Sequence, residues 1–234
     1  MEHINLTPRL QCVANCIEKC NILADIGTDH AYIPIYAIQK SIAQKAIASD
    51  VVEGPLKIAT ENIHSHELQD KIFPCLANGL ESAGDADIIV IAGMGGKLIC
   101  DIIKNNLAIA KKANMLILQP MTCSYELRKF LHENKFAITK ECLAREEDKI
   151  YNVMVVKPGE EFYQDDFFYH IGIKLFENKD PLLAEYIRLR AKVIKKQLLG
   201  VSKSNKDEIK NKSVELKTLY ERFVKEADSY DKSR

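Results

Sequence analysis

Ile22-Leu23-Ala24-Asp25-Ile26-Gly27-Thr28-Asp29-His30-Ala31 is the stretch that decides the fold. A short apolar run ends on an acid and breaks at one glycine. An amphipathic pattern over about 31–42 follows it. The run is too short for a helix and reads as a buried strand feeding a loop and then a helix. The same unit recurs outward. Strands are expected at 46–49, 73–76, 88–91 and 115–118, and helices at about 53–66, 95–110 and 122–134. Strand and helix in alternation imply a parallel sheet covered by helices on both faces, a doubly wound α/β arrangement. After Phe136 two extended runs, Ala137–Leu143 and Ile150–Val156, flank the charged turn 145–149 and read as an antiparallel hairpin closing one sheet edge.

In such sheets ligands sit beyond the carboxyl ends of the strands. A dinucleotide-binding loop would need glycines at 27, 29 and 32, but only Gly27 is present and position 29 is an acid. A carboxylate there repels a pyrophosphate at close range, which disfavours NAD, FAD and ATP. S-adenosyl-L-methionine fits better, because its sulfonium and amino group are cationic. Asp25, Gly27, Asp29 and His30 form the cofactor turn, and Asp50 ends the second strand, where an acid can accept bonds from ribose hydroxyls. Asn78-Gly79 follows the third strand, where an amide can pair with an adenine edge. The bland alternative is that each acid only caps the helix after it.

The fourth strand is followed by Gly93-Met94-Gly95-Gly96, where backbone can approach a ligand closely. Gly93 is placed with the cofactor. Gly95 and Gly96, costly inside a helix, are placed in the loop before one. Met94, Gly95 and Gly96, with Gln119 and Pro120 after the fifth strand, are expected to line the methyl acceptor.

The segments D-I-G-T-D-H-A-Y (25–32), A-S-D (48–50), I-A-G-M-G-G (91–96) and L-Q-P-M (118–121) together resemble bacterial tRNA adenine-N1 methyltransferases acting on adenine 22. Leu6-Thr7-Pro8-Arg9-Leu10 and the helical tail match that family's layout, so the resemblance covers nearly the whole chain. It implies methylation of N1 of adenine in the D-arm region of tRNA. It also implies a Rossmann-like class I methyltransferase domain with a C-terminal helical extension that holds the RNA, and it adds Arg9 to the substrate contacts. The target position comes from the resemblance alone.

Adenine N1 carries a lone pair at neutral pH, so its attack on a sulfonium methyl needs no base, and the product ring is cationic. A carboxylate beside that ring can stabilise charge or take a proton. Asp29 is the catalytic candidate, with binding of the cofactor's amino group as its rival role. His30 is the candidate for orienting the loop.

Other reactive groups carry less. Cys12, Cys16 and Cys20 recur every four residues and read as one face of a core helix, since a zinc site lacks a C-x2-C pair and a fourth ligand. His64 and His66 diverge on a helix and cannot easily share an ion. Cys100 and Cys123 lack an evident basic partner to activate a thiolate. No metal is expected, and the odd count of 7 cysteines argues for a reducing cytoplasm.

Pro158-Gly159-Glu160 reads as a boundary between a cofactor-binding domain, 1–158, and a helical domain, 159–234. Ile187, Ala191, Ile194, Leu198 and Val201 are spaced as a coiled-coil seam. Ile209, Leu216, Leu219, Phe223 and Tyr230 continue it, with Lys212 and Glu226 as imperfect members. The polar link Ser202-Lys203-Ser204-Asn205 predicts an antiparallel hairpin. Residues 186–217 carry ten Lys/Arg and three Asp/Glu, an excess of 10 − 3 = 7, which suits phosphate contact. Arg188, Lys192, Lys195 and Lys196 are the candidate tRNA contacts, with a solvated helical face as the plain alternative.

The 234 residues balance 33 basic against 33 acidic side chains, which taken alone argues against an anionic partner. The distribution argues otherwise: residues 1–160 sum to 17 − 20 = −3 and residues 161–234 to 16 − 13 = +3. No stretch approaches the roughly 18 apolar residues of a membrane helix, and the start lacks a secretory pattern. A cytoplasmic tRNA enzyme is expected, with oligomeric state open and a monomer favoured. Two competing readings are a methyltransferase for another RNA base, a protein or a small molecule, and a non-enzymatic RNA-binding coiled coil.

Overall fold

A computed structural model describes residues 4–201 and 207–232. The elements are α1 (Pro8–Ala14), β1 (Cys20–Ile26), α2 (Tyr32–Gln39), β2 (Ala43–Asp50), α3 (Glu53–Ser65) and β3 (Ile72–Leu76). They continue with β4 (Ile88–Gly95), α4 (Gly96–Asn105), α5 (Leu107–Lys112), β5 (Met115–Thr122), α6 (Ser124–Glu133), β6 (Phe136–Glu146) and β7 (Lys149–Pro158). The last helices are α7 (Phe167–Ile171), α8 (Ile173–Glu177), α9 (Leu183–Val201) and α10 (Asp207–Lys232).

The strands form a seven-stranded sheet in the order β3-β2-β1-β4-β5-β7-β6. The first five are parallel, and β7 runs antiparallel to both β5 and β6. Strand order reverses between β1 and β4, so a crevice opens at their carboxyl ends, where Asp25 and Gly93 lie. Near-continuous apolar strands are what a sheet buried on both faces requires. Leu23, Val90 and Ile117 point to one face and pack with Ile33, Ile35 and Ile63 of α2 and α3. Their neighbours Ala24, Ile91 and Leu118 point to the other, against Ile99, Ile103 and Leu127 of α4 and α6.

Several sequence expectations are corrected. The helix expected over 95–110 is two, because the chain bends at Asn106 (φ −131°). Gly93-Met94-Gly95 is an irregular end of β4 rather than a free loop, with register shifts against β5, and Gly96 opens α4. The cysteine stripe does not share a helix: α1 is capped at Asn15, Cys16 follows it and Cys20 starts β1. Cys16 Sγ instead meets Cys142 Sγ of β6 at 3.7 Å.

The chain divides into two compact units, Met1–His170 and Ile171–Arg234. The segment 159–170 packs with the first, twelve residues beyond the expected boundary. Glu161 accepts a bond from the Ile138 amide at 2.9 Å, and Tyr163 lies edge-on to His132. Within the second unit, α9 and α10 run antiparallel, since Arg188 meets Asp228 while Lys195 meets Tyr220. Ile187, Ala191, Ile194, Phe223 and Ala227 are buried along their seam. The expected link 202–205, and the side chains of Val201 and Ile209, lie outside the described residues. Among the described residues no helix is long and apolar enough to cross a membrane.

Candidate functional site

The turn after β1 is built by backbone. The amides of Gly27 and Thr28 both donate to the Ser49 carbonyl, at 2.8 and 2.9 Å, tying the loop to the end of β2. Gly27 takes φ +75°, and a Cβ there would lie 1.9 Å from Met94 Cε. Glycine is therefore needed for conformation and for space. Ala31, the last residue of the loop, also takes a left-handed φ of 54° immediately before α2.

Two cavities meet at Gly27. The larger, about 360 Å³, is bordered by Arg9, Asp25, Thr28, Asp29, His30 and Gly93. The smaller, about 130 Å³, is bordered by Asp50, Asn78, Gly79, Met94 and Leu98. The first thus gathers the acids of the turn, and the second gathers the residues after β2 and β3. Val51 and Leu98, both more than half exposed, flank the smaller cavity with apolar surface.

The three acids differ in setting. Asp25 is buried, and burial raises its carboxyl to about 6; the nearby Thr28 hydroxyl opposes that rise and the Asp50 charge adds to it. Asp50 spends one oxygen on the Val52 amide at 2.8 Å. Asp29 has a side chain 67% exposed and stands 3.3 Å from His30 Nε2. The His30 ring stacks on Tyr32 with centroids 4.9 Å apart, and its carbonyl accepts a bond from Asn62 Nδ2 at 3.1 Å. His30 is thereby held by its ring and by its carbonyl, with Asp29 beside it.

The acceptor-side residues divide. Arg9 borders the larger cavity. Its Nη1 donates to Gln119 Oε1 at 2.8 Å, and the Gly93 amide donates to the same oxygen at 3.1 Å. Gln119 Nε2 turns to the Pro120 carbonyl at 3.1 Å. Gln119 is fully buried, so its amide organises the loops after β4 and β5 and offers nothing to a ligand. Pro120, Gly95 and Gly96 border neither cavity, and Met94 borders the smaller one. A Cβ on Gly95 would sit 3.3 Å from Thr122 Oγ1, and one on Gly96 2.5 Å from the Cys123 carbonyl oxygen. These glycines let β4 and α4 pack on the end of β5.

Sequence reasoning missed Glu146. It accepts the Arg9 amide at 3.0 Å and lies 3.7 Å from Arg9 Nε, while the Arg9 guanidinium lies 5.6 Å from the centre of the Tyr151 ring. Burial pushes the Glu146 carboxyl up, but the Thr7 hydroxyl and Arg9 outweigh it and hold it below the usual range. The tip of the β6–β7 hairpin therefore grips the arginine that reaches Gln119. No spacing motif marks a contact between residues 137 positions apart.

On α9, Lys192, Lys195 and Lys196 are exposed. Arg188 is not a free cation: its Nη2 is paired with Asp231 and lies 3.5 Å from Asp228. Among the described residues no cluster of three or more His, Cys, Asp or Glu is arranged to hold a metal ion.

This sheet order and an acid-lined glycine turn at the strand-order switch define a Rossmann-like methyltransferase. A family model described as "Methyltransferase domain" matches residues 6–154. The tRNA (adenine(22)-N(1))-methyltransferase of Bacillus subtilis is 36% identical over 162 residues, covering 68% of each chain. The crystal structure of the B. subtilis M1A22 tRNA methyltransferase TrmK superposes with a TM-score of 0.85 at 29% identity, covering 95% of this chain and 100% of that one. M. capricolum TrmK, solved with the natural cofactor product S-adenosyl-homocysteine, gives a TM-score of 0.80 at 30% identity, covering 95% of this chain and 98% of that one. The chain belongs to the tRNA (adenine(22)-N(1))-methyltransferase family.

Proposed function

We propose that this protein transfers a methyl group from S-adenosylmethionine to N1 of adenine 22 in tRNA, in the cytoplasm. The observation that carries the reading is the buried carboxyl of Asp25 beside the left-handed Gly27 turn, where the two cavities meet. A buried acid with a raised carboxyl value is a site waiting for a cation. The residues fit this cofactor in three ways: Asp25 suits its ammonium, Asp50 its ribose hydroxyls, and Asn78-Gly79 between apolar Val51 and Leu98 its adenine. When bound, the cofactor supplies an electrophilic methyl on a cationic sulfur.

The remaining work belongs to the chain. Gly27 and Gly93 present bare backbone, and Met94 seated on Gly27 keeps the turn closed. Asp29, exposed at the rim beside His30, faces the entering base, where its charge offsets the positive ring formed on N1. Arg9 holds the acceptor side, kept in place by Glu146 and Gln119, so much of the acceleration comes from positioning. Lys192, Lys195 and Lys196 supply phosphate contacts.

Incubation with methyl-labelled cofactor and total bacterial tRNA, followed by nucleoside analysis, tests the reading. Labelled 1-methyladenosine is expected; label in another nucleoside overturns the base assignment. Asp29→Ala is expected to lower turnover by about 10²-fold or more with cofactor affinity unchanged by calorimetry. Parallel loss of cofactor binding would instead place Asp29 with the cofactor's amino group.

Asp25 gives a pH signature. Its unliganded carboxyl titrates at about 6, and a bound cation favours the carboxylate, so cofactor affinity rises with pH through about 6 and then levels. Calorimetry in buffers of different ionisation enthalpy at pH 6 should show proton release on binding, lost in Asp25→Asn. For the unliganded fold the sign is opposite. The folded value lies above the ordinary 3.8, so stability increases as pH falls from above 6 toward 3.8.

A further inference from the structure

The helical unit carries a groove of about 350 Å³ between α9 and α10. Its apolar lining comes from Ala191, Val224 and Ala227, with the Tyr220 ring beside them. Ala191 and Ala227 lie on the buried seam, and their small side chains leave the notch that larger seam residues would fill. Val224 is 39% exposed, so the groove holds open apolar surface. Lys192 and Lys195 stand along its edge, and Lys195 Nζ lies 5.9 Å from the Tyr220 ring centre. Among the described residues neither lysine has a carboxylate partner. Arg188, tied to Asp228 and Asp231, closes one end.

An aromatic face, apolar walls and uncommitted cations within one notch match the chemistry of a single unstacked nucleotide. Its base has apolar faces and its phosphate is anionic. We propose that this groove is a nucleotide subsite, distinct from the methyl-transfer cavity, that stacks one unpaired base of the tRNA on Tyr220 and holds the adjoining phosphate at Lys192 and Lys195. The inference rests on tRNA being the substrate.

The test compares the full-length protein with Tyr220→Ala, Tyr220→Phe and Lys192→Ala/Lys195→Ala, titrating labelled bacterial tRNA by fluorescence anisotropy across a salt series. Tyr220→Ala is expected to weaken binding by roughly 5- to 100-fold with an unchanged salt slope, the range of one base stack. Tyr220→Phe should bind nearly as the parent does, because the ring suffices. The lysine pair variant should flatten the slope of log affinity against log salt by about 0.7–0.9, the loss of one phosphate contact. Cofactor affinity and thermal midpoint, measured alongside, should match the parent in all three variants. Unweakened tRNA binding by Tyr220→Ala, with a parent that binds steeply with salt, removes the subsite and leaves the tRNA reading intact. A parent that does not bind tRNA removes that reading itself. A dimer on sedimentation that Tyr220→Ala abolishes would make the groove a contact between copies and also overturn the proposal.

Discussion

Arg128→Ala is expected to cost about 3–5 kcal/mol of folding stability, the range for stranding one partner of a buried ion pair. Arg128 lies on α6 with no exposed surface, and its Nε and Nη2 reach Glu141 Oε1 of β6 at 3.0 and 2.7 Å. Its Nη2 also donates to Asn152 Oδ1 of β7 at 2.9 Å, and its Nη1 to the Tyr169 carbonyl at 2.9 Å. One guanidinium therefore joins α6, both hairpin strands and α7. Alanine would leave Glu141 buried without its cation. Burial already raises that carboxyl against the pull of Arg128 and Asn152. Urea titration should show the loss, and Arg128→Leu/Glu141→Leu should recover much of it. The pH sign is fixed as well. In Arg128→Ala the folded Glu141 value rises further above the unfolded one, so stability relative to the parent is better at pH 5 than at pH 7. A midpoint unchanged by Arg128→Ala would refute the account.

Gly96→Ala is the second large effect. The added methyl would stand 2.5 Å from the Cys123 carbonyl oxygen and 2.7 Å from that of Thr122, and both are backbone atoms with little freedom to retreat. Overpacking of this kind costs about 1–3 kcal/mol. It also levers the start of α4 from the end of β5, where Gln119 joins Arg9 to Gly93. Turnover on tRNA should therefore fall more steeply than the thermal midpoint. Activity equal to the parent's, in a folded variant, would show that this contact does not set the acceptor geometry.

The parallel strands were legible because burial on both faces leaves uninterrupted apolar runs such as Ile88–Ile91 and Met115–Leu118. The cofactor turn was legible because charge and a single glycine select among ligands. What pattern could not show were contacts made by distant charged side chains. Arg128, which no sequence pattern singles out, is buried because Glu141 and Asn152 arrive from the hairpin. Gln119 reads as a free amide, yet is consumed by Arg9 and the Gly93 backbone. Arg188 reads as a phosphate contact until α10 brings Asp228 and Asp231 to it.

The sheet order has a consequence for synthesis on the ribosome. β6 emerges before β7, yet its sheet neighbour is β7, which also covers β5. Until residues 149–158 have left the exit tunnel, β5 presents an open edge and β6 has no docking place. The nascent first unit therefore carries an adhesive flank until translation passes that strand, and only then do Glu141, Asn152 and Arg128 meet. A pause in translation while β5 has emerged and residues 149–158 are still inside the tunnel would prolong the exposure and raise the demand for chaperones. One just after the strand has cleared would be harmless.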